Sequence, residues 1–409
     1  MNNLEYTDVD FKNYNIDSLL FITDRPPIVF KSGKGMWLED HNGKKYLDWL
    51  QGWAVNCLGH SPECISEVLE KQSKKIINPS PAFFNEPSID LSNLLTNNSC
   101  FDRVFFANSG AEANEGAIKL ARKWGQMQGE GNVEYKYEII TFENSFHGRT
   151  LATMSASGKK GWDKMFIPKV PGFPKARFND IKSVENLISK KTIAVMIEPI
   201  QGEGGIIPAD IKFMKELRDL TIQKNLLLIV DEVQAGMGRT GKLFAYENFE
   251  IEPDIMTLGK GIGGGVPLAA LLCKEKFACF DIGDQGGTYN GNPLMTAVGK
   301  VILKTMLTND FLNLVSKKGK ILSEGLKKIS DKYDMKGERG IGLIRALKLN
   351  NENANKIVSI SRDLNPTGLI LNSPKPDLIR FLPALNVEIN EIKLMLRLLD
   401  QAIIKSLNN

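Results

Sequence analysis

Short apolar runs alternate with longer stretches of helical spacing through the middle of this chain. The runs are Val104–Phe106, Ile139–Thr141, Val195–Ile197, Leu226–Val230 and Leu268–Leu272. Continuous runs of this length are typical of strands buried in a parallel sheet, and the helical patterns between them are typical of its crossover helices. Between about residues 103 and 272 the pattern therefore predicts an α/β layer with a mostly parallel sheet.

The regions on either side of this layer are more mixed. Strands are predicted at Met36–Asp40 and Tyr46–Trp49, with a turn at Asn42–Gly43 between them. Residues 62–76 carry apolar side chains at helical spacing, and residues 294–330 predict a long helical connection.

The length of the chain, 409 residues, allows more than one domain. Near the C-terminus, strand-like segments such as Leu343–Leu347 alternate with helical patterns. We therefore expect a large central α/β domain over residues 61–300 and a smaller α/β domain over residues 301–409. The N-terminal segment, residues 1–60, is expected to contribute to the small domain.

Composition excludes several classes of function. A net charge of +4, with no basic cluster that interleaves aromatic residues, gives no indication of nucleic-acid binding. No apolar run reaches the roughly 18 residues of a membrane helix, and the polar, acidic N-terminus does not match a signal peptide. Five scattered cysteines fit a reduced, cytoplasmic protein, and with only three histidines we expect no metal site.

Charged residues end two of the strand-like segments. Asp231 follows Leu226–Val230, and Lys260 follows Ile255–Gly259. A lysine amine can form a Schiff base with an aldehyde, and the aldehyde cofactor pyridoxal phosphate (PLP) requires an acidic partner for its ring nitrogen. A Lys and an Asp delivered in this way match what a PLP enzyme needs, although most residues of these types lie on solvated surfaces.

A turn that suits a phosphate follows the first apolar run. Ser109, Gly110 and Ala111 come after Val104–Phe106 and open a helical pattern. A strand, a Ser-Gly turn and a helix aim backbone N–H groups at an anion, and the helix dipole adds to the attraction. The alternative is an ordinary helix cap formed by Ser109.

Two further side chains could contact a ring and a carboxylate. Phe146 and Arg149 follow the next apolar run. Phe146 could stack on a pyridine ring, or it could be a core residue. Arg149 could hold a substrate carboxylate by two parallel hydrogen bonds, or it could be a surface arginine.

Two glycine-rich segments partly match the motifs of nucleotide-binding and dinucleotide-binding sites. Gly236–Leu243 nearly matches the nucleotide-binding P-loop but ends in Leu243, so the hydroxyl that would bind magnesium is missing. Gly259–Gly264 has the spacing of a dinucleotide site, but the next residues, Val266–Ala270, predict a turn into a strand where that site needs a helix.

Taken together, these segments resemble the class III (subgroup II) aminotransferases of PLP fold type I. The matching blocks run in the family's order and are Asn108–Asn114, Ser145–Thr150, Glu198–Gly205, Asp231–Gln234, Leu258–Gly261 and Gly287–Pro293. With Gly52–His60 and Ile379–Pro383 added, the resemblance covers nearly the whole chain. It implies an α/β fold with a large, mostly parallel sheet and a smaller α/β domain.

The resemblance also implies how PLP is bound. Lys260 would hold the cofactor covalently, and Asp231 would pair with the protonated ring nitrogen. The remaining contacts would come from Ser109, Gly110 and Ala111 at the phosphate, Phe146 over the ring and Gln234 at the ring hydroxyl. Thr288 would reach the phosphate of the neighbouring subunit, which implies a homodimer with shared active sites.

Substrate contacts follow from the same resemblance. Arg380 would bind the α-carboxylate of glutamate or 2-oxoglutarate. Glu203 would pair with Arg380 when a donor with a distal amine is bound. Arg149 would hold the carboxylate of an ornithine-type substrate.

Within that family, the chain is most similar to the acetylornithine aminotransferases. The supporting stretches are Ala54–His60, Phe84–Pro87 and Gly340–Leu343, whereas Trp53 stands where many members have a smaller residue. The similarity implies transfer of the distal amine of N-acetylornithine to 2-oxoglutarate, in arginine synthesis. The alternatives are another ω-aminotransferase acting on ornithine, succinylornithine, 4-aminobutyrate or a diaminopimelate precursor, a PLP racemase or mutase, and a catalytically silent relative.

Overall fold

The computed structural model describes residues 16, 18–128 and 135–408. Its strands are β1 Phe30–Lys34, β2 Trp37–Asp40, β3 Lys45–Asp48, β4 Arg103–Ala107, β5 Glu138–Phe142, β6 Lys175–Ala176, β7 Thr192–Ile197, β8 Ile200–Gln201, β9 Ile207–Pro208, β10 Leu227–Asp231, β11 Ile255–Leu258, β12 Ala269–Cys273, β13 Gly337–Ile341, β14 Ile344–Lys348, β15 Thr367–Ile370, β16 Asn372–Lys375 and β17 Leu378–Phe381. Its helices are α1 Gln51–Ala54, α2 Glu63–Ser73, α3 Glu86–Asn97, α4 Gly110–Met127, α5 Leu151–Ala156, α6 Ile181–Glu185, α7 Ile211–Gln223, α8 Pro293–Met306, α9 Phe311–Lys332, α10 Ala354–Asp363 and α11 Ile389–Asn408. Short 3-10 turns lie at Trp162–Lys164, Ala245–Phe249, Lys260–Ile262 and Glu275–Phe277.

The central sheet contains all five apolar runs from the middle of the chain. Its strand order is β4-β12-β11-β10-β7-β5-β6, and only β12 runs antiparallel to its neighbours. Strands β7, β10, β11 and β12 are buried along their whole length, which explains why their sequences are largely apolar. The prediction of a mostly parallel α/β sheet is confirmed.

One of two smaller four-stranded sheets brings the ends of the chain together. Strands β1, β2 and β3 pair in order, and β3 pairs in parallel with β15 from the C-terminal region. A second sheet has the order β13-β14-β17-β16. The division into residues 1–60, 61–300 and 301–409 stays a prediction, and residues 1–15 and 17 lie outside the described residues.

The long helical connection predicted for residues 294–330 is divided in two. Helix α8 ends at Met306 and α9 begins at Phe311. Asp310, which precedes α9, has a φ of 66°, and a left-handed residue cannot continue a right-handed helix. Apolar spacing on both sides of the break is helical, so the spacing alone did not reveal it.

Two further findings concern the part of the chain that the structure describes. No helix there is both long enough and apolar enough to cross a membrane. No group of three or more His, Cys, Asp or Glu side chains is placed there to hold a metal ion.

Candidate active site

A cavity of about 570 Å³ lies at the carboxyl ends of the central parallel strands. It is lined by Trp53, Gly110, Ala111, Asn114, Phe146, His147, Gly148, Arg149, Lys159, Glu198, Glu203, Asp231, Val233, Gln234, Lys260, Asn372, Ser373, Pro374 and Arg380. The carboxyl ends of parallel strands are where α/β proteins commonly bind ligands. All the site residues predicted from sequence line this cavity except Ser109 and Thr288.

Lys260 lies just after β11 and projects into the cavity. Its backbone is left-handed, with a φ of 45°, a conformation that costs free energy in a residue other than glycine and that is often found at functional sites. Burial lowers the pKa of its amine, although the negative charges of Asp231 and Glu203 oppose the change. The Lys260 amine is therefore easier to deprotonate than a surface lysine.

Asp231 is the last residue of β10 and is held by three hydrogen bonds. Its Oδ2 accepts from Asn114 Nδ2 at 2.8 Å and lies 2.8 Å from His147 Nδ1, and its Oδ1 accepts from the Val233 N–H at 3.0 Å. Thr257 on the neighbouring strand β11 fixes Asn114, because its hydroxyl donates to Asn114 Oδ1 at 2.6 Å. The buried Asp231 carboxylate is thus locked in one orientation.

Glu198 is a second buried carboxyl at the cavity wall, just after β7. Burial, and then the nearby charge of Asp231, raise its pKa well above the ordinary value. Its Oε2 accepts from the Phe146 N–H at 3.0 Å. The Glu198 carboxyl is therefore harder to ionise than an exposed glutamate.

The turn before α4 has the geometry of a phosphate site. The Ser109 hydroxyl accepts from the Glu112 N–H at 3.2 Å, while Glu112 Oε2 accepts from the Ser109 N–H at 2.9 Å, so Ser109 is the helix cap. A Cβ at Gly110 would lie 2.6 Å from Val233 Cγ1. Only glycine therefore fits here, and the first-turn N–H groups of Gly110 and Ala111 lie at the cavity.

Arg380 and Glu203 form an ion pair that faces Lys260. Arg380 Nη1 donates to Glu203 Oε1 at 2.6 Å, and Asn372 Oδ1 accepts from the Arg380 Nε at 3.0 Å. Burial raises the pKa of Glu203, but the charge of Arg380 and its hydrogen bond outweigh burial and hold that pKa below the ordinary value. Glu203 is therefore ionised, and it neutralises an arginine whose residue is only 1% exposed.

Two cations that line the cavity, Arg149 and Lys159, lie beside the ring of Trp162. The guanidinium carbon of Arg149 lies 5.5 Å from the ring centroid of Trp162, and Lys159 Nζ lies 5.3 Å from the same centroid. The ring of Phe146 lies 5.6 Å from the Trp162 ring at an angle of 59°. The exposed Arg149 is thus placed at the mouth of the cavity.

These residues fit PLP. The Gln234 Oε1 atom is buried and has no hydrogen-bond partner among the described residues, so it can accept from the cofactor's ring hydroxyl. Lys260 could supply the amine for the aldehyde, Asp231 the partner for the ring nitrogen, and the start of α4 the donors for the phosphate. Each polar part of the cofactor therefore has a matching group in one cavity.

Thr288 lies outside the cavity in an exposed loop. Its carbonyl accepts from Asn78 Nδ2 at 3.2 Å. The predicted role of Thr288 at a neighbouring subunit's phosphate stays a prediction.

Several cavity residues were not identified from the sequence. Asn114, His147 and Glu198 lie within the matching blocks given above. Their closeness in sequence to predicted site residues is the signal that could have identified them. Lys159 and Asn372 had no such signal, because they reach the cavity through the tertiary fold alone.

Comparison with known proteins agrees with this geometry. The family model "Aminotransferase class-III" matches residues 22–403. Acetylornithine aminotransferase of Ralstonia nicotianae is 61% identical over 95% of this chain and 98% of its own length.

Solved structures agree as well. The N-acetylornithine aminotransferase of Stenotrophomonas maltophilia has a TM-score of 0.82 at 35% identity, over 94% of this chain and 97% of that one. An ornithine aminotransferase of Toxoplasma gondii, whose active site was reported with partial PLP occupancy, has a TM-score of 0.89 at 29% identity, over 94% of this chain and 92% of that one.

The predicted family, fold class and cofactor are therefore confirmed. A match across residues 22–403, together with the near full-length relatives, shows that this chain belongs to the class III aminotransferases.

Proposed function

We propose that this chain transfers the distal amino group of N-acetylornithine to 2-oxoglutarate, giving N-acetylglutamate semialdehyde and glutamate in arginine synthesis. The observation that carries the proposal is the Arg380–Glu203 ion pair, at 2.6 Å, in a cavity that also holds Lys260 and Arg149. A donor whose reacting amine sits on a plain methylene requires a neutralised arginine at that point. The 61% identical relative of the same name supports the choice of donor.

The charges at the mouth favour an acylated donor. The acidic residues that line the cavity are Glu198, Glu203 and Asp231, and they lie at the reacting end. Arg149 and Lys159 at the mouth are cations. A free α-ammonium, as in ornithine, would be repelled there, whereas an N-acetyl group is uncharged and leaves only a carboxylate for Arg149 to bind.

PLP is the cofactor, and the chain holds it from three sides. Gly110 and Ala111 would bind its phosphate through backbone N–H groups, with Ser109 fixing the turn as helix cap. Asp231 would keep the ring nitrogen protonated, Gln234 would accept from the ring hydroxyl, and Phe146 would cover the ring. When bound, PLP supplies a conjugated ring that accepts the electrons released from the substrate carbon.

Lys260 would be both the attachment point of PLP and the proton carrier. Its free Nζ would accept a proton from the carbon that bears the reacting amine. Burial lowers the pKa of Lys260, so more of the amine is in the neutral form that can accept this proton at a given pH.

Arg380 serves the second substrate. With N-acetylornithine bound, Glu203 stays paired with Arg380. With glutamate or 2-oxoglutarate bound, Glu203 turns away and Arg380 binds the α-carboxylate by two parallel hydrogen bonds. Asn372 holds the guanidinium in both states.

The functional unit is a cytoplasmic homodimer with shared sites. Phe83 and Phe84 are 69% and 95% exposed, and they line an open surface cavity together with Gly287 and Asn290. Exposed aromatic residues beside a glycine-rich loop are typical of a subunit interface, which would carry Thr288 to the partner's phosphate. Five free cysteines support a reducing compartment.

A panel of donors tests the proposal. Purified holoenzyme is assayed with 2-oxoglutarate and each of N-acetylornithine, ornithine, N-succinylornithine and 4-aminobutyrate. We expect the highest kcat/KM with N-acetylornithine. Ornithine is the second candidate, because the Toxoplasma gondii ornithine aminotransferase has a TM-score of 0.89 with this chain, and a higher kcat/KM for ornithine would overturn our choice.

A further inference from the structure

Trp162 contacts three residues of the active-site wall but does not line the cavity itself. Its ring is 6% exposed and lies within 5.6 Å of the Phe146 ring, 5.5 Å of the Arg149 guanidinium carbon and 5.3 Å of Lys159 Nζ, each distance measured to the Trp162 ring centroid. A cation within about 6 Å of an indole centroid is attracted by the negative face of the ring. The buried Trp162 side chain therefore lies beside Phe146, which would cover the cofactor ring, and beside both cations, Arg149 and Lys159.

The two cations have little else to orient them. Within the described residues, neither the Arg149 guanidinium nor the Lys159 amine forms an ion pair or a hydrogen bond with a protein group. Long, solvated side chains without such partners sample many rotamers, and ordering them costs free energy when a ligand binds. Contact with Trp162 reduces this cost before the ligand arrives.

Trp162 itself is fixed by a tight turn. Its N–H donates to the Lys159 carbonyl at 3.1 Å, and its carbonyl accepts from the Met165 N–H at 3.2 Å. The turn also sets the direction in which Lys159 leaves the backbone. The positive charge of Lys159 also acts on Glu203 at the reacting end of the cavity, where it contributes to the lowered pKa of Glu203.

We propose that Trp162 is a positioning residue that holds Arg149 and Lys159 as a pair of cations for the distal carboxylate of the substrate, and that Lys159 is a second contact for that carboxylate. A dicarboxylate such as 2-oxoglutarate then meets Arg380 at one end and the Arg149–Lys159 pair at the other. The inference rests on the proposed function through the role of Arg149.

Binding of glutarate to the PLP-loaded enzyme tests this inference without turnover. Glutarate carries the two carboxylates of 2-oxoglutarate but lacks the keto group, and calorimetry gives its dissociation constant. We expect Trp162→Leu to weaken binding roughly 5- to 30-fold, because the ring that orients both cations is lost. Trp162→Tyr retains an aromatic face and should stay within about threefold of the parent protein.

Matched controls separate positioning from stability. Trp124 packs edge-on against Phe277 at 5.2 Å, away from the cavity, so Trp124→Leu should leave glutarate binding unchanged. Lys159→Met should weaken binding about 3- to 10-fold, whereas Lys160→Met, at the next residue but outside the cavity lining, should not. Equal binding by Lys159→Met and Lys160→Met would overturn the inference even if Trp162→Leu failed to fold.

Kinetics adds a second readout. Trp162→Leu should raise KM for 2-oxoglutarate by a similar factor with kcat within about threefold, because Arg149 and Lys159 bind ground state and transition state alike. A fall in kcat without a rise in KM would show that Trp162 is only structural.

If the parent protein binds glutarate and Trp162→Leu binds it weakly, but N-acetylornithine is not a donor, then the proposed function fails and the role of Trp162 stands. No detectable glutarate binding by the parent protein would overturn the role of Trp162.

Discussion

Lys260 combines a left-handed backbone with a buried amine. A φ of 45° costs on the order of 1–3 kcal/mol at a residue other than glycine, and the surrounding strands must hold it there. Borohydride reduction of the holoenzyme followed by peptide mapping should label Lys260. Lys260→Ala should lower the rate by at least about a thousandfold, since it would remove both the proposed attachment point and the proposed proton carrier. A label on another lysine would disprove the assignment.

The Arg380–Glu203 pair makes a prediction that separates the two half-reactions. Arg380→Ala removes the contact for an α-carboxylate, so it should slow the glutamate half-reaction about a hundredfold or more and the N-acetylornithine half-reaction far less. Single-turnover absorbance changes of the cofactor measure each half separately. Glu203→Ala is the matched variant, and it should improve glutamate relative to N-acetylornithine. Equal losses in both halves for Arg380→Ala would show that Arg380 is structural.

At the scale of elements, the start of α4 is fixed by its contact with the segment after β10. A Cβ at Gly110 would lie 2.6 Å from Val233 Cγ1, so Gly110→Ala must push the helix start away from the cavity. We expect Gly110→Ala to weaken PLP binding about tenfold or more, as measured by fluorescence titration of the apoenzyme. Val233→Ala removes the opposing methyl groups, and the double variant should regain most of the affinity. Purely additive effects would contradict this account.

The 3-10 turn Ala245–Phe249 depends on a buried carboxyl. Glu232 Oε2 and Oε1 accept from the N–H groups of Ala245 and Tyr246, both at 2.6 Å, and burial raises the pKa of Glu232 to about 8 despite these bonds. The folded chain therefore keeps a proton at Glu232 that the unfolded chain releases above the ordinary value of 4.5. This contribution to stability is fully present below about pH 4.5 and is lost as the pH rises through about 8.

Urea unfolding at several pH values tests this linkage. Glu232→Gln cannot titrate, so its free energy of unfolding should fall less steeply than that of the parent protein between pH 5 and 8, by up to about 1.4 kcal/mol per pH unit. The variant is expected to be less stable at low pH, because its amide offers one acceptor for two N–H groups. Parallel curves would show that Glu232 is ionised throughout this range.

For the whole molecule, the sheet could be predicted because its strands are uniformly buried. The apolar run Leu226–Val230 predicts a buried strand. The observed strand β10 lies in the middle of the sheet and is buried along its whole length, which is why its sequence is apolar there. The break between α8 and α9 could not be predicted, because it depends on the backbone of Asp310 and leaves the apolar spacing unchanged. The short helical segment α1, Gln51–Ala54, whose residues all have positive φ, was equally hidden, since hydrogen bonds from the Leu50 and Gln51 N–H groups to the Asp48 carboxylate hold it.

Part of the candidate site also could not be predicted from the sequence. Asp231 and Lys260 could be predicted because each lies at the carboxyl end of a buried strand, Asp231 as the last residue of β10 and Lys260 two residues after β11. The raised pKa of Glu198 and the ring of Trp162 beneath Arg149 depend on contacts between distant segments, which one sequence does not reveal.

The oligomeric state of the chain is open to direct measurement. Sedimentation at assay concentrations should give a dimer, because neighbouring exposed aromatic residues such as Phe83 and Phe84 are typical of a subunit interface. An active monomer would contradict the shared site.

Hybrid dimers test whether Thr288 serves the partner's site. Lys260→Ala chains have no proton carrier, and Thr288→Ala chains should bind PLP weakly. If Thr288 acts across the interface, a hybrid of the two variants contains one site with both residues intact and one with neither. Random mixing of equal amounts then restores about a quarter of the complete sites of the parent protein, measured as activity at limiting PLP. If Thr288 acts within its own chain, each site of the hybrid lacks one residue and no activity is regained, so the recovered activity decides between the two arrangements.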